Sequence, residues 1–161
     1  MTGPRPRTAL PPSHPACWLA TWFGVGLLRP APGTWGSLAA LPLAWAIVHI
    51  GGAPALAAAT VVVFALGCWA ADVYENAGGG KDPGVVVIDE VAGQWLVLIA
   101  APLDPAYYLA GFLLFRLCDI TKPWPAGWAD RRVGGGLGIM LDDVLAALYG
   151  LGAIAAFRYW Y

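Results

Sequence analysis

The chain has 161 residues, 59% of them hydrophobic and only 12% charged, with a formal net charge of −1. Soluble domains carry about 25% charged residues, so half that fraction, with nine tryptophans and a mean hydropathy of +0.64, points to a membrane protein. The near-neutral balance leaves no basic stripe to neutralise a nucleic-acid backbone, and the length suits one domain without a linker.

Taken in order, the chain opens on the proline-rich stretch M-T-G-P-R-P-R-T-A-L-P-P-S-H-P-A. Proline excludes regular structure there, and the apolar run of a signal peptide is missing. The expectation is a flexible tail over residues 1–30 followed by a single helical domain over residues 31–161. Apolar helical segments read as Ser37–Ile50, Ala53–Ala71, Asp89–Ala101, Ala106–Ile120 and Asp142–Tyr159. Gly51-Gly52 and Pro102-Leu103-Asp104-Pro105 read as tight turns between neighbours. The fold class is therefore all-α, a compact integral membrane bundle of about five apolar helices. Ser37–Ile50 and Asp89–Ala101 fall short of the roughly 20 residues that a span requires. Cys17, Cys68 and Cys118 are odd in number and widely spaced, which suits small buried hydrophobes rather than disulfides or zinc.

With Arg5, Arg7 and Arg29 in the cytoplasm, as the positive-inside rule directs, five alternating helices bring almost every charged group to the cytoplasmic mouth. Only Asp104 and Arg158 fall on the other side. Eight acids meet at that mouth: Asp72, Asp82, Asp89, Glu90, Asp119, Asp130, Asp142 and Asp143. Crowded carboxylates repel and take up protons unless cations neutralise them. Arg116, Lys122, Arg131 and Arg132 supply part of that charge, and a divalent ion supplies the rest. All-oxygen ligands favour Mg²⁺ over zinc. Helix capping explains one acid at the start of a helix, but not the doubled pairs Asp89-Glu90 and Asp142-Asp143. Arg116, Asp119 and Lys122 are three residues apart and share a helical face, as an ion-pair ladder or as metal and phosphate ligands.

Other motifs are weaker. Gly78-Gly79-Gly80-Lys81 is followed by Asp82 where a phosphate loop needs Ser or Thr, and Gly134-Gly135-Gly136-Leu137-Gly138 lacks the strand of a dinucleotide fingerprint. The hydroxyls of Thr34 and Ser37 open the first segment, placed to cap it or to meet a phosphate at its N-terminus. The only histidines are His14, in the tail, and His49, beside the outer turn, which excludes a histidine-nucleophile phosphatase. No cysteine has an arginine six positions later, and no D-x-D occurs. What remains is direct attack by a metal-activated water, with carboxylates holding the metal and accepting a proton.

Four blocks carry a resemblance: P-G-T-W-G-S (32–37), D-P-G-V-V-V-I-D-E (82–90), R-L-C-D-I-T-K-P-W-P (116–125) and D-R-R-V-G-G-G-L-G-I-M-L-D-D (130–143). At these residues the chain resembles the phosphatidylglycerophosphatase A family. The resemblance implies an all-α enzyme of the bacterial inner membrane with its active site facing the cytoplasm. It also implies Mg²⁺-dependent hydrolysis of phosphatidylglycerophosphate to phosphatidylglycerol. Together the two lines name Asp82, Asp89, Glu90, Asp142 and Asp143 as metal ligands, with Asp119 as a further catalytic carboxylate. Lys122, Arg131, Arg116, Thr34 and Ser37 are the expected phosphate ligands, with Asp130 supporting Arg131. Trp124 and Trp128 are expected at headgroup level. The expected partners are the phospholipid substrate and the bilayer, with no obligatory protein partner. The alternatives are a CDP-alcohol phosphotransferase, whose spaced-aspartate motif is absent, a cation or phosphate carrier, and a structural membrane protein.

Overall fold

The computed structural model describes residues 10–79 and 83–160, and all regular structure among them is helical. The elements are α1 (Pro15–Ala20), a 3₁₀ turn (Val25–Leu27), α2 (Pro32–Tyr74), a π-helical turn (Glu75–Gly79), α3 (Ile88–Leu98), α4 (Pro105–Thr121), α5 (Ala126–Arg132) and α6 (Gly135–Trp160). Local chemistry sets several of the boundaries. Asp104 caps α4 by accepting the amides of Ala106 and Tyr107 at 2.8 and 3.3 Å, with Pro105 in the first turn. His14 does the same for α1 through Nδ1, at 3.1 Å from the Ala16 amide.

The long α2 is two antiparallel limbs, 32–51 and 53–74. Its backbone leaves helical geometry at Gly52, where φ is 69° and ψ −174°, a conformation that glycine adopts without steric cost. Two contacts demonstrate the reversal. Gly36 lies against Val87 and Gly67 against Ile88, so residues 31 positions apart stand at the same level of the molecule. In a straight helix they would be about 46 Å apart. Gly52 lies midway between them, as the Gly-Gly signal indicates, and Pro54 opens the second limb.

Among the described residues, two helical stretches contain a window long and apolar enough to cross a membrane: residues 32–78, which include both limbs of α2, with a mean hydropathy of 2.0, and α6, with 1.7. At 11 residues α3 is only about 16 Å long, too short to span. It is instead the buried centre of the fold. Val91, Ala92, Val97 and Leu98 are fully enclosed, and the Trp95 indole N–H donates to the Ala40 carbonyl at 2.9 Å. At Gly93, α3 touches both Phe115 of α4 and the Asp143 carbonyl of α6, which brings three charged helix segments together.

Two boundaries differ from expectation. Residues 10–30 are not a flexible tail: α1 and the 3₁₀ turn pack on α2, with Ala16 and Ala20 fully buried. Proline at the first turn of α1 is compatible with a helix, and compositional reasoning overlooked that. Further along, α6 starts at Gly135 rather than Asp142, because Gly136 packs so tightly on the Cys68 carbonyl and Asp72 that any side chain would clash. The glycines that look like a loop are a close helix–helix contact.

Candidate metal and phosphate site

Asp89 and Glu90 occupy the first turn of α3, where free amides and the helix dipole favour negative charge. Asp143 comes from the third turn of α6, beyond the reach of any capping role. One carboxylate oxygen from each lies within 4.8 Å of the others. Glu90 Oε2 and Asp143 Oδ2 are buried with no hydrogen-bond partner among the described residues. Burial pushes the Glu90 carboxyl up to about 8. The Asp143 and Asp119 charges add to that rise, while the Asp89 hydrogen bond and Arg116 oppose it. Protein groups alone therefore under-neutralise the cluster.

Arg116 is the nearest cation. Its Nη1 stands 2.5 Å from Asp119 Oδ2 and 3.7 Å from Glu90 Oε1, a charge contact rather than an aligned hydrogen bond. Half of the expected ladder on α4 is thus realised. Lys122 leaves it, because the chain turns left-handed there at φ 43° and ends α4. Its ammonium instead pairs with Asp130 at 2.9 Å and hydrogen-bonds Asp142. Burial alone would lower the Lys122 pKa, but the bonds to Asp142 and Asp130 outweigh it and hold the lysine charged. Asp142 uses its other oxygen to accept the Asp143 amide at 3.0 Å. Adjacent residues of α6 therefore serve different neighbourhoods, since successive helical side chains diverge by about 100°.

The remaining expected ligands are spread around this centre. Arg131 is exposed at the end of α5, its Nη1 beside Gly127. Thr34 is half-buried in the first turn of α2. Ser37 is fully buried and donates to the Gly33 carbonyl at 3.0 Å. Asp82 lies outside the described residues. A pocket of about 20 Å³ opens beside Asp142, between Asp130, Glu75 and the glycines at 134, 135 and 138.

One site residue, Gly33, escaped the sequence reading, and one of the eight acids, Asp72, has a role that it did not anticipate. Gly33 covers the acids so closely that a Cβ there would lie 2.0 Å from Glu90 Oε1 and 3.1 Å from Arg116 Nη1. Its signal was the glycine of P-G-T-W-G-S, which was read only for its hydroxyls. Asp72, at the end of α2, accepts the Gly136 amide at 3.2 Å and so ties the start of α6 to α2.

The sequence profile of phosphatidylglycerophosphatase A matches residues 18–158. The chain belongs to the phosphatidylglycerophosphatase A family. It is 40% identical over 161 residues to the phosphatidylglycerophosphatase A of Haemophilus influenzae, covering 99% of both chains. To that of Escherichia coli K12 it is 37% identical, covering 92% of this chain and 86% of the relative. A Bacteroides thetaiotaomicron protein named putative phosphatidylinositol-3-phosphatase is 39% identical over 92% of this chain and 96% of its own. No solved structure matches significantly. The chain is accordingly a phosphoric monoester hydrolase of phospholipid metabolism.

Proposed function

We propose that this enzyme removes the terminal phosphate of phosphatidylglycerophosphate, yielding phosphatidylglycerol and inorganic phosphate, with Mg²⁺ held by Asp89, Glu90 and Asp143. The observation that carries the metal assignment is the triad itself, three convergent carboxylates of which Glu90 and Asp143 each keep a buried oxygen with no hydrogen-bond partner among the described residues. Such a hard, all-oxygen donor set suits Mg²⁺ and offers nothing to a thiophilic metal. When bound, the ion supplies positive charge to the phosphoryl oxygens and makes water a better nucleophile.

The chain's own residues do the rest. Arg116 pairs with Asp119 and stands beside Glu90, and its buried Nε has no hydrogen-bond partner among the described residues, which leaves that N–H free for a phosphate oxygen. Lys122, charged and anchored by Asp130 and Asp142, keeps a second cation on the neighbouring face of α6. Asp119, held next to Glu90 through the Arg116 they share, is the carboxylate that accepts a proton in this reading. Gly33 closes the site from above and admits no side chain.

In this reading both limbs of α2, with α4 and α6, are embedded in lipid, to which Ile50, Val61, Leu109 and Leu113 present exposed apolar side chains. Arg29, Lys122, Arg131 and Arg132 put the site's end in the cytoplasm by the positive-inside rule. The Bacteroides relative favours a second reading, in which the same site takes a phosphoinositide. The test is phosphate release in detergent micelles from each lipid, with Mg²⁺ and with EDTA. Release from phosphatidylglycerophosphate that EDTA abolishes supports the proposal. Activity that survives EDTA overturns the metal assignment, and faster release from the phosphoinositide overturns the substrate.

A further inference from the structure

The turn between α1 and α2 is built in a way that membrane exposure explains and water exposure does not. Trp22 and Phe23 are consecutive bulky residues held at φ 46° and 56°, in the left-handed region that such side chains rarely occupy. The consequence is a split. Trp22 is 8% exposed and packs edge-on against Trp95, while Phe23 is 61% exposed, beside an outward-facing Trp18. Leu27 and Leu28 are also exposed, so three large apolar side chains project from one short turn, next to Trp18 of α1.

The level of this turn in the molecule follows from its contacts. Gly26 and Gly36 both rest on Val87, and the Trp95 that Trp22 touches donates to Ala40. Gly36 and Ala40 stand roughly 6 and 12 Å along α2 from Pro32. The turn therefore dips one to two helical turns below the start of a helix long and apolar enough to span. Its backbone is equipped for that depth. All eight amides from Thr21 to Leu28 are satisfied internally, seven by carbonyls between Cys17 and Val25 and that of Gly24 by the Thr21 hydroxyl at 3.1 Å. A surface loop in water leaves several amides to solvent, whereas backbone in lipid must bond within itself.

We infer that residues 18–28 form a re-entrant wedge seated in the bilayer leaflet that the active site faces, with Phe23, Leu27 and Leu28 against lipid. The inference rests on the membrane reading above. By anchoring Val85 and Val87, which lead directly to Asp89 and Glu90, the wedge sets the site mouth at headgroup level, where a lipid phosphate lies. The neighbouring Arg29 is positioned for anionic headgroups.

The experiment is nitroxide labelling of Phe23→Cys in full-length protein carrying Cys17→Ala, Cys68→Ala and Cys118→Ala, reconstituted in vesicles of phosphatidylglycerol and phosphatidylethanolamine. Relaxation by oxygen is compared with relaxation by a water-soluble nickel chelate, and a label at Val62→Cys, midway along the second limb of α2, is the reference. The wedge predicts that oxygen dominates at both positions. Nickel dominating at Phe23→Cys with oxygen dominating at Val62→Cys overturns the wedge and leaves the membrane reading intact. Nickel dominating at both overturns the membrane reading as well. An immobilised label shielded from both relaxants marks a protein cover, such as a second copy, and overturns lipid contact. If Phe23→Cys fails to fold, Leu27→Cys carries the same prediction.

Discussion

Asp142 and Asp143 are neighbours in one helix and chemical opposites. Asp142 has both oxygens engaged, one by Lys122 and one by the next amide, and Lys122 is shared further with Asp130. Asp143 joins Asp89 and Glu90 with a buried oxygen left unbonded. One side of α6 is an ion-pair network that protein groups complete, and the other is a cluster that they do not. A doubled acid in a sequence can thus hold one member that protein cations neutralise and one that they do not.

The largest effect expected from breaking this asymmetry is at Asp143. Asp143→Asn removes a ligand charge and should lower kcat about 10³-fold, the upper end of what deleting one charge-stabilising group costs. Asp142→Asn keeps an acceptor for Lys122 and should cost about tenfold or less. Steady-state phosphate release by the two variants checks the contrast. Next comes Gly33→Ala. Its methyl must push aside the end of Glu90, a flexible side chain, so folding should be nearly unaffected while activity falls about 10²-fold. A thermal melt run beside the kinetics separates the two effects.

On the neutralised side, Lys122→Met leaves Asp142 buried without its counter-ion. It should destabilise the protein by about 1–3 kcal/mol, between the values for exposed and fully buried pairs, as read in a detergent denaturation series. The last effect is on pH dependence. The Glu90 pKa is raised from an ordinary 4.5 to about 8. The stability it contributes is therefore present below pH 4.5 and is lost as pH rises through about 8. Melting temperature without metal should drop across that window, and saturating Mg²⁺ should remove the drop, because a bound cation favours the ionised carboxylate.

Much of this was legible in the residues. Doubled acids in a chain so poor in charge marked residues that the fold brings together, and Gly51-Gly52 and Asp104-Pro105 marked reversals that the structure has. The rest depends on tertiary contact. Whether Asp142 or Asp143 turns to the triad depends on where α6 begins, and its glycine-rich start resembles a loop until Asp72 and Cys68 are seen packed against it. Lys122 fits a helical ladder by spacing, yet one left-handed residue redirects it to α6. The α1 wedge was hidden because proline content argues for disorder unless the proline falls in a first turn. Gly33 was hidden because a missing side chain shows its purpose only against what lies above it.

The central claim is that the triad, not the Lys122 network, holds the metal. Calorimetric titration of Mg²⁺ into detergent-solubilised wild type, Asp143→Asn and Asp142→Asn tests it most directly. The account predicts one binding event that Asp143→Asn abolishes and Asp142→Asn preserves. Binding lost in Asp142→Asn but kept in Asp143→Asn would place the ion in the pocket beside Asp130 and contradict it.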